Sequence, residues 1–151
     1  MIPILYITDD LDIGGAEQVM ATLTDLLPND RYKPIVCSLE DGPLAPRLSQ
    51  KGIKVIILPK KRPYDLTFLG KLIYLIRKEK VRLIHSHSLI SSIYGWIAAG
   101  VTRVPLVITL HGKSLFNLKH GGTLFPRLAR RCAKVICVSD SLCKEVEHLG
   151  L

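Results

Sequence analysis

Six short apolar runs, each followed by polar or glycine-bearing residues, constrain the fold more than anything else in these 151 residues. They cover residues 4–7, 32–38, 55–58, 81–84, 105–109 and 135–138. Their apolar residues are contiguous rather than alternating, which is the pattern of strands covered on both faces. Helical spacing fills the intervals. Ala16, Val19, Met20, Leu23, Leu26 and Leu27 recur as the apolar side of a first amphipathic helix. A short helix over 44–51 stops at Gly52, and a longer one, capped by Asp65 or Thr67, runs to Lys80. Further helices are expected over 91–99 and 125–133, with a last one from a Ser139 cap to Gly150; residues 113–122 read as an irregular loop. This alternation predicts an α/β fold: a doubly wound, mainly parallel Rossmann-like sheet with helices on both faces.

The chain has the size of one domain, and 48% hydrophobic against 23% charged residues supplies a core and argues against disorder. No apolar run approaches the roughly 20 residues of a membrane span. The start, Met1-Ile2-Pro3-Ile4, leads into a strand without the positive region of a signal peptide. Four cysteines form no Cys-x-x-Cys pair, and Cys37, Cys132 and Cys137 lie in or beside apolar segments, as reduced buried thiols do. A cytoplasmic protein is expected. The net charge is +8, with basic residues gathered at Lys60-Lys61-Arg62 and from Arg127 to Lys134. That balance suits nucleic acid, an anionic membrane surface or a phosphorylated small ligand. No RNA-binding signature, zinc-finger spacing or aromatic-interleaved basic strand is present, so nucleic acid ranks last. Peripheral contact with the inner face of a membrane stays open, beside the plainer use of such charges as solvated helix faces.

Ligands in doubly wound sheets bind beyond the carboxyl ends of the strands. Placed there are Asp9 to Gly15, Glu40, Lys60-Lys61, Ser86-His87-Ser88, His111-Gly112-Lys113 and Ser139-Asp140-Ser141. Gly14-Gly15 stands between a strand and a helix, where glycine lets a backbone approach a ligand and free amides favour a phosphate. A glycine pair that only packs loop against helix accounts for the same residues equally well. His85 and His87, two apart, face one way on an extended segment and could take a metal, yet no further ligand stands at a recognisable spacing. One of them packing locally while the other lines the cleft is the favoured alternative, and no metal is expected. His111 before Gly112 can donate to a phosphate or do acid–base work; a merely hydrogen-bonded histidine is the other reading. No Gly-x-Ser-x-Gly elbow, phosphate-binding loop or spaced dinucleotide fingerprint occurs. Glu40, placed like a ribose-binding acid, keeps an NAD-binding oxidoreductase as a rival.

The pieces Gly14-Gly15-Ala16-Glu17, Leu83-Ile84-His85-Ser86-His87, Val107-Ile108-Thr109-Leu110-His111-Gly112 and Val135-Ile136-Cys137-Val138-Ser139-Asp140-Ser141 stand in this order over nearly the whole chain. In that order they resemble the N-terminal half of a glycosyltransferase family 4 enzyme of the GT-B fold. The resemblance implies retaining sugar transfer from a nucleotide-diphosphate sugar to an acceptor, without metal or other cofactor, in a cleft between two Rossmann-like domains. It implies that Gly14 and Gly15 stand by the donor diphosphate and the acceptor, and that His111 is the catalytic residue, with Gly112 beside it. His87 and Ser88 would line the acceptor side, and Ser139 would lie near the interdomain cleft.

Family members carry a second domain whose paired glutamates, seven residues apart between them, bind the nucleotide sugar, and residues 1–151 contain no such pair. The expectation is therefore an acceptor-side domain, inactive alone, belonging to a longer enzyme. Its rivals are the NAD-binding oxidoreductase and a non-enzymatic basic binding module.

Overall fold

The structure, a computed structural model, describes residues 1–61, 65–112 and 121–148. In chain order it runs β1 (Ile2–Thr8), α1 (Gly15–Leu26), β2 (Tyr32–Ser38), α2 (Leu44–Gln50), β3 (Lys54–Ile57) and α3 (Leu66–Lys78). The second half is β4 (Leu83–Ser86), α4 (Leu89–Thr102), β5 (Leu106–Leu110), α5 (Gly121–Ala129), β6 (Lys134–Cys137) and α6 (Asp140–His148). The strands form one sheet in the order β3-β2-β1-β4-β5-β6, with every pairing parallel. This is the doubly wound, Rossmann-like arrangement that the alternation predicts. Among the described residues no helix is long and apolar enough to cross a membrane.

Successive residues of β1 point to opposite faces and so divide the core. Ile4 and Tyr6 join Met20 of α1 and Leu44 and Leu48 of α2. Leu5 and Ile7 join Phe68 and Leu72 of α3, Ala98 of α4, Phe125 of α5 and Leu142 of α6. Burying side chains of this size contributes about 1.5–3 kcal/mol each, which holds both helix layers onto the sheet.

Local chemistry sets the element ends and explains where they depart from expectation. Of the two candidate caps for α3 it is Asp65 that works, accepting from the Phe68 amide at 3.0 Å. The helix stops at Lys78 rather than Lys80 because Lys80 turns left-handed (φ 53). Lys80 N then donates to Arg77 O and Val81 N to Ile76 O, the paired bonds of a Schellman ending. That ending uses Val81, so β4 starts at Leu83 and takes in His85 and Ser86. The helix expected over 91–99 spans Leu89–Thr102, because Ser88 and Ser91 form a capping box in front of it. Two residues of the expected loop, Gly121 and Gly122, belong to α5, while residues 113–120, Arg62 and the end at Gly150 lie outside the described residues.

Coverage by helices is incomplete. In α1 the buried positions are Met20 and Thr24, whereas Leu26 is 75% exposed and Val19 and Leu23 lie on an exposed flank. On β6, Ile136 is also exposed, as is Val138 just beyond the strand. The apolar spacing of α1 thus overstates its inward face: the helix packs beside α2, while Val19, Leu23 and Leu26 on its other flank stay exposed.

Candidate active site

The central strands position the site. Tyr6 pairs with His85 across β1 and β4, and His85 with Val107 across β4 and β5. Tyr6, His85, His87, Thr109 and His111 therefore share one face of the sheet. The His85 and His87 rings lie 4.3 Å apart between centroids, and His87 stacks on His111 at 5.4 Å. His85 Nε2 is 2.8 Å from Thr109 Oγ1, and His87 Nδ1 is 3.1 Å from His111 Nε2.

Burial keeps these imidazoles neutral. It lowers the pKa of His85 to about 4 and that of His87 to about 2, with neighbouring histidines adding a smaller effect, and it lowers that of His111. His87 Nε2 is buried without a partner among the described residues. A bare lone pair there costs less than an orphaned N–H, so the arrangement favours His87 with its proton on Nδ1, donating to His111 Nε2. His111 then holds its own proton on Nδ1, its remaining donor. Tyr6, pushed up to about 12 by burial, stays a phenol beneath the pair.

Asp9, at the end of β1, reaches across to the start of α4. Its Oδ1 accepts from Ser88 Oγ at 2.5 Å and from the Ser91 amide at 3.0 Å. The β1–β4 crevice is where the strand order reverses, the position at which dinucleotides bind in this architecture. Here a carboxylate, protonating above its usual range because of burial, already takes the helix amide. Asp10 and Asp12 stand on the same loop and Glu17 in the first turn of α1, where burial followed by the neighbouring charges raises its pKa as well. A loop with three acids, followed by Glu17 in the first turn of α1, repels a pyrophosphate and suits hydroxyl groups, which donate to carboxylates.

The sequence-predicted residues fall as follows. His87, Ser88, His111 and Gly112 come together at the ends of β4 and β5. Gly14 is the N-cap of α1, and a Cβ there would meet the flexible Glu17 carboxylate. At Gly15 and Gly112 a Cβ would meet nothing within 4 Å, so both positions open onto free space. Ser139 caps α6, its oxygens taking the Leu142 and Cys143 amides, one strand away from His111 at the end of β6. Glu40 is exposed, its amide bonded to Asp9 O. Lys113 lies outside the described residues. Among the described residues no group of three or more His, Cys, Asp or Glu is placed to hold a metal.

Tyr6, Asp9, Ser91 and Gly42 are site or supporting residues that spacing alone does not reveal. A Cβ on Gly42 would come within 2.8 Å of Asp12 N and collide with the Leu11 carbonyl, so Gly42 lets the 41–44 loop brace the acidic one. The signal for Asp9 was present in part, since an acid directly follows β1, but its partners are 79 and 82 residues away.

Strand order and the polar rim define a doubly wound, Rossmann-like domain with its site at the carboxyl ends of the strands, the kind of domain of which a GT-B enzyme has two. Residues 13–151 match Glycosyltransferase Family 4, and the chain belongs to that family as its N-terminal, Rossmann-like domain. It is 31% identical over 113 residues to the Escherichia coli UDP-Gal:α-D-GlcNAc-diphosphoundecaprenol α-1,3-galactosyltransferase, covering 71% of this chain and 29% of that one. The fold of Anabaena HepE, solved with UDP-glucose, superposes with a TM-score of 0.83 at 23% identity, covering 99% of this chain and 41% of HepE. The lipopolysaccharide outer core galactosyltransferase WaaB, in its apo form, gives 0.68 at 16% identity, covering 99% and 43%. The chain thus spans well under half the length of each of these proteins.

Proposed function

We propose that the protein to which this domain belongs moves a hexose from a UDP-sugar to an acceptor, with retention at the anomeric carbon, and that residues 1–151 form the acceptor-side wall of the cleft. The observation that carries this reading is the His87–His111 pair at the ends of β4 and β5, beside the open Gly14-Gly15 loop. His111 offers the Nδ1 proton to an oxygen of the donor sugar or its leaving diphosphate, which makes it the catalytic residue. An oriented neutral donor of this kind stabilises charge that develops in the transition state without reorganising.

The acidic loop refines the division of labour. Asp10, Asp12 and Glu17 favour acceptor hydroxyls around Gly14, Gly15 and Ser88, so the diphosphate finds its countercharge on the other wall. Ser139 and Gly112 border the cleft between the walls. UDP-galactose in the name of the Escherichia coli relative and UDP-glucose in HepE support a UDP-hexose donor. No metal or organic cofactor enters this reading, and the domain alone is inactive because it lacks the donor-binding wall. The net charge of +8 on residues 1–151 favours contact of this domain with an anionic membrane surface.

Calorimetry of residues 1–151 with UDP-glucose, UDP-galactose and NAD tests the reading, together with a transfer assay. Binding weaker than about 1 mM (some 4 kcal/mol) and no transfer are expected for this domain alone. Micromolar donor binding would contradict the division of labour, and tight NAD binding would restore the oxidoreductase.

A further inference from the structure

The single tryptophan of the chain stands at the end of the sheet opposite the catalytic rim. Trp96, Val101, Arg103, Val104, Leu106 and Arg131 line a cleft of about 560 Å³ where α4 ends and β5 begins. The Arg131 guanidinium lies 5.8 Å from the centre of the indole ring. Arg127 and Arg130 stand with Arg131 and Trp96 around an adjoining hollow. Among the described residues none of these four arginines is in an ion pair, although the three ion pairs found all use lysines.

A cation at a helix end complements the macrodipole, which explains one arginine after α4 and one after α5. It does not explain four around one indole, nor the apolar floor beneath them, where Val101 is 51% exposed. Tryptophan with an apolar body and a polar edge, ringed by guanidinium groups on apolar stems, is the combination that settles at the boundary between lipid headgroups and acyl chains.

We infer that the Trp96–arginine cleft is the membrane-docking site of this protein, seating an anionic phospholipid headgroup among Arg103, Arg127, Arg130 and Arg131 with the indole against the first acyl carbons. This gives a place to the membrane contact proposed above and is independent of sugar transfer. Lys60 and Lys61, the other basic cluster, follow β3 at the rim end and take no part. The five residues of β5 separate cleft from rim by roughly 17 Å, at about 3.3 Å per residue.

Because Trp96 is the only tryptophan, its fluorescence reads the site directly. The 151-residue chain is titrated with vesicles of phosphatidylglycerol and phosphatidylcholine in equal parts, with pure phosphatidylcholine vesicles, and with inorganic phosphate. A blue shift with the anionic vesicles alone is expected, lost at about 1 M salt, where the Debye length falls to about 3 Å. In co-sedimentation, R127S/R130S/R131S should lower partitioning on the order of 10²-fold, from about 1 kcal/mol per basic residue. Trp96→Ala should also lower it, whereas K60S/K61S should leave it within about threefold; unchanged circular dichroism shows that each variant folds. If K60S/K61S loses binding as fully as the arginine variant, the cleft is overturned while membrane contact stands. Absence of binding at low salt overturns both, and a shift produced equally by inorganic phosphate overturns the bilayer as the ligand.

Discussion

His87 Nδ1 lies 3.1 Å from His111 Nε2, so a buried imidazole at the end of β4 sets the tautomer of a half-buried one at the end of β5. The outer ring can then act as a donor only through its Nδ1 proton. The catalytic assignment of His111 therefore depends on His87 keeping its proton on Nδ1, which its buried, partnerless Nε2 favours.

Acid should unfold this domain through the same histidines. His85 and His87 have pKa values lowered to about 4 and about 2 in the folded chain from an ordinary value of 6.5, so the unfolded state binds more protons below pH 6.5. Their contribution is complete above that pH and is lost as pH falls, by about 1.4 kcal/mol per pH unit for each histidine until its folded pKa is reached. Urea unfolding at pH 7.5 and pH 5 should differ by about 4 kcal/mol. His87→Phe should flatten this slope by about half.

Asp9 ties β1 to α4 and should show it in stability. Asp9→Ala removes the acceptor for Ser88 Oγ and Ser91 N and should cost about 1–3 kcal/mol. Asp9→Asn keeps an acceptor oxygen and should recover most of that loss. Equal unfolding midpoints for wild type and Asp9→Ala would show that the bridge is idle.

Gly42, on the loop before α2, and Gly15, the first residue of α1, should behave in opposite ways. Gly42→Ala drives a methyl group into the Leu11–Asp12 backbone and should destabilise by about 1–3 kcal/mol. Gly15→Ala meets open space at the first residue of α1 and should leave stability unchanged or slightly raised. In the complete enzyme, Gly15→Val should weaken acceptor binding, because its side chain fills the space where a ligand approaches. Chemical denaturation of the three variants and acceptor KM for the last check this.

The unbroken apolar runs made the sheet legible, and the residues following them located the rim, because a parallel strand needs only local composition to be recognised. Boundaries were less legible where a side chain or turn overrode spacing: the left-handed Lys80 moved the start of β4, and the Ser88–Ser91 box lengthened α4. His87, Ser88 and His111 were readable as rim residues, yet their contact was not, since it follows from the register of β1, β4 and β5. Asp9 was likewise readable at the rim while its bonds to Ser88 and Ser91 were not, and Tyr6 was hidden as an ordinary strand residue. The exposed flank of α1 could not be read at all, because helical spacing shows which residues share a face and not whether anything covers it.

Turnover of His111→Ala in the complete enzyme, with its donor-binding domain present, tests the central claim most directly. Loss of the Nδ1 donor should lower kcat about 10²–10³-fold, the usual effect of removing one transition-state donor. Removing the acceptor for His87, which is buried, should cost about 1–3 kcal/mol of stability. His111→Gln, which can accept from His87 and still donate, should regain at least about tenfold of the lost rate, consistent with a hydrogen-bonding role. A His111→Ala enzyme that folds and turns over within a few-fold of wild type would contradict the assignment of His111, and with it the rim as the chemical wall of the cleft.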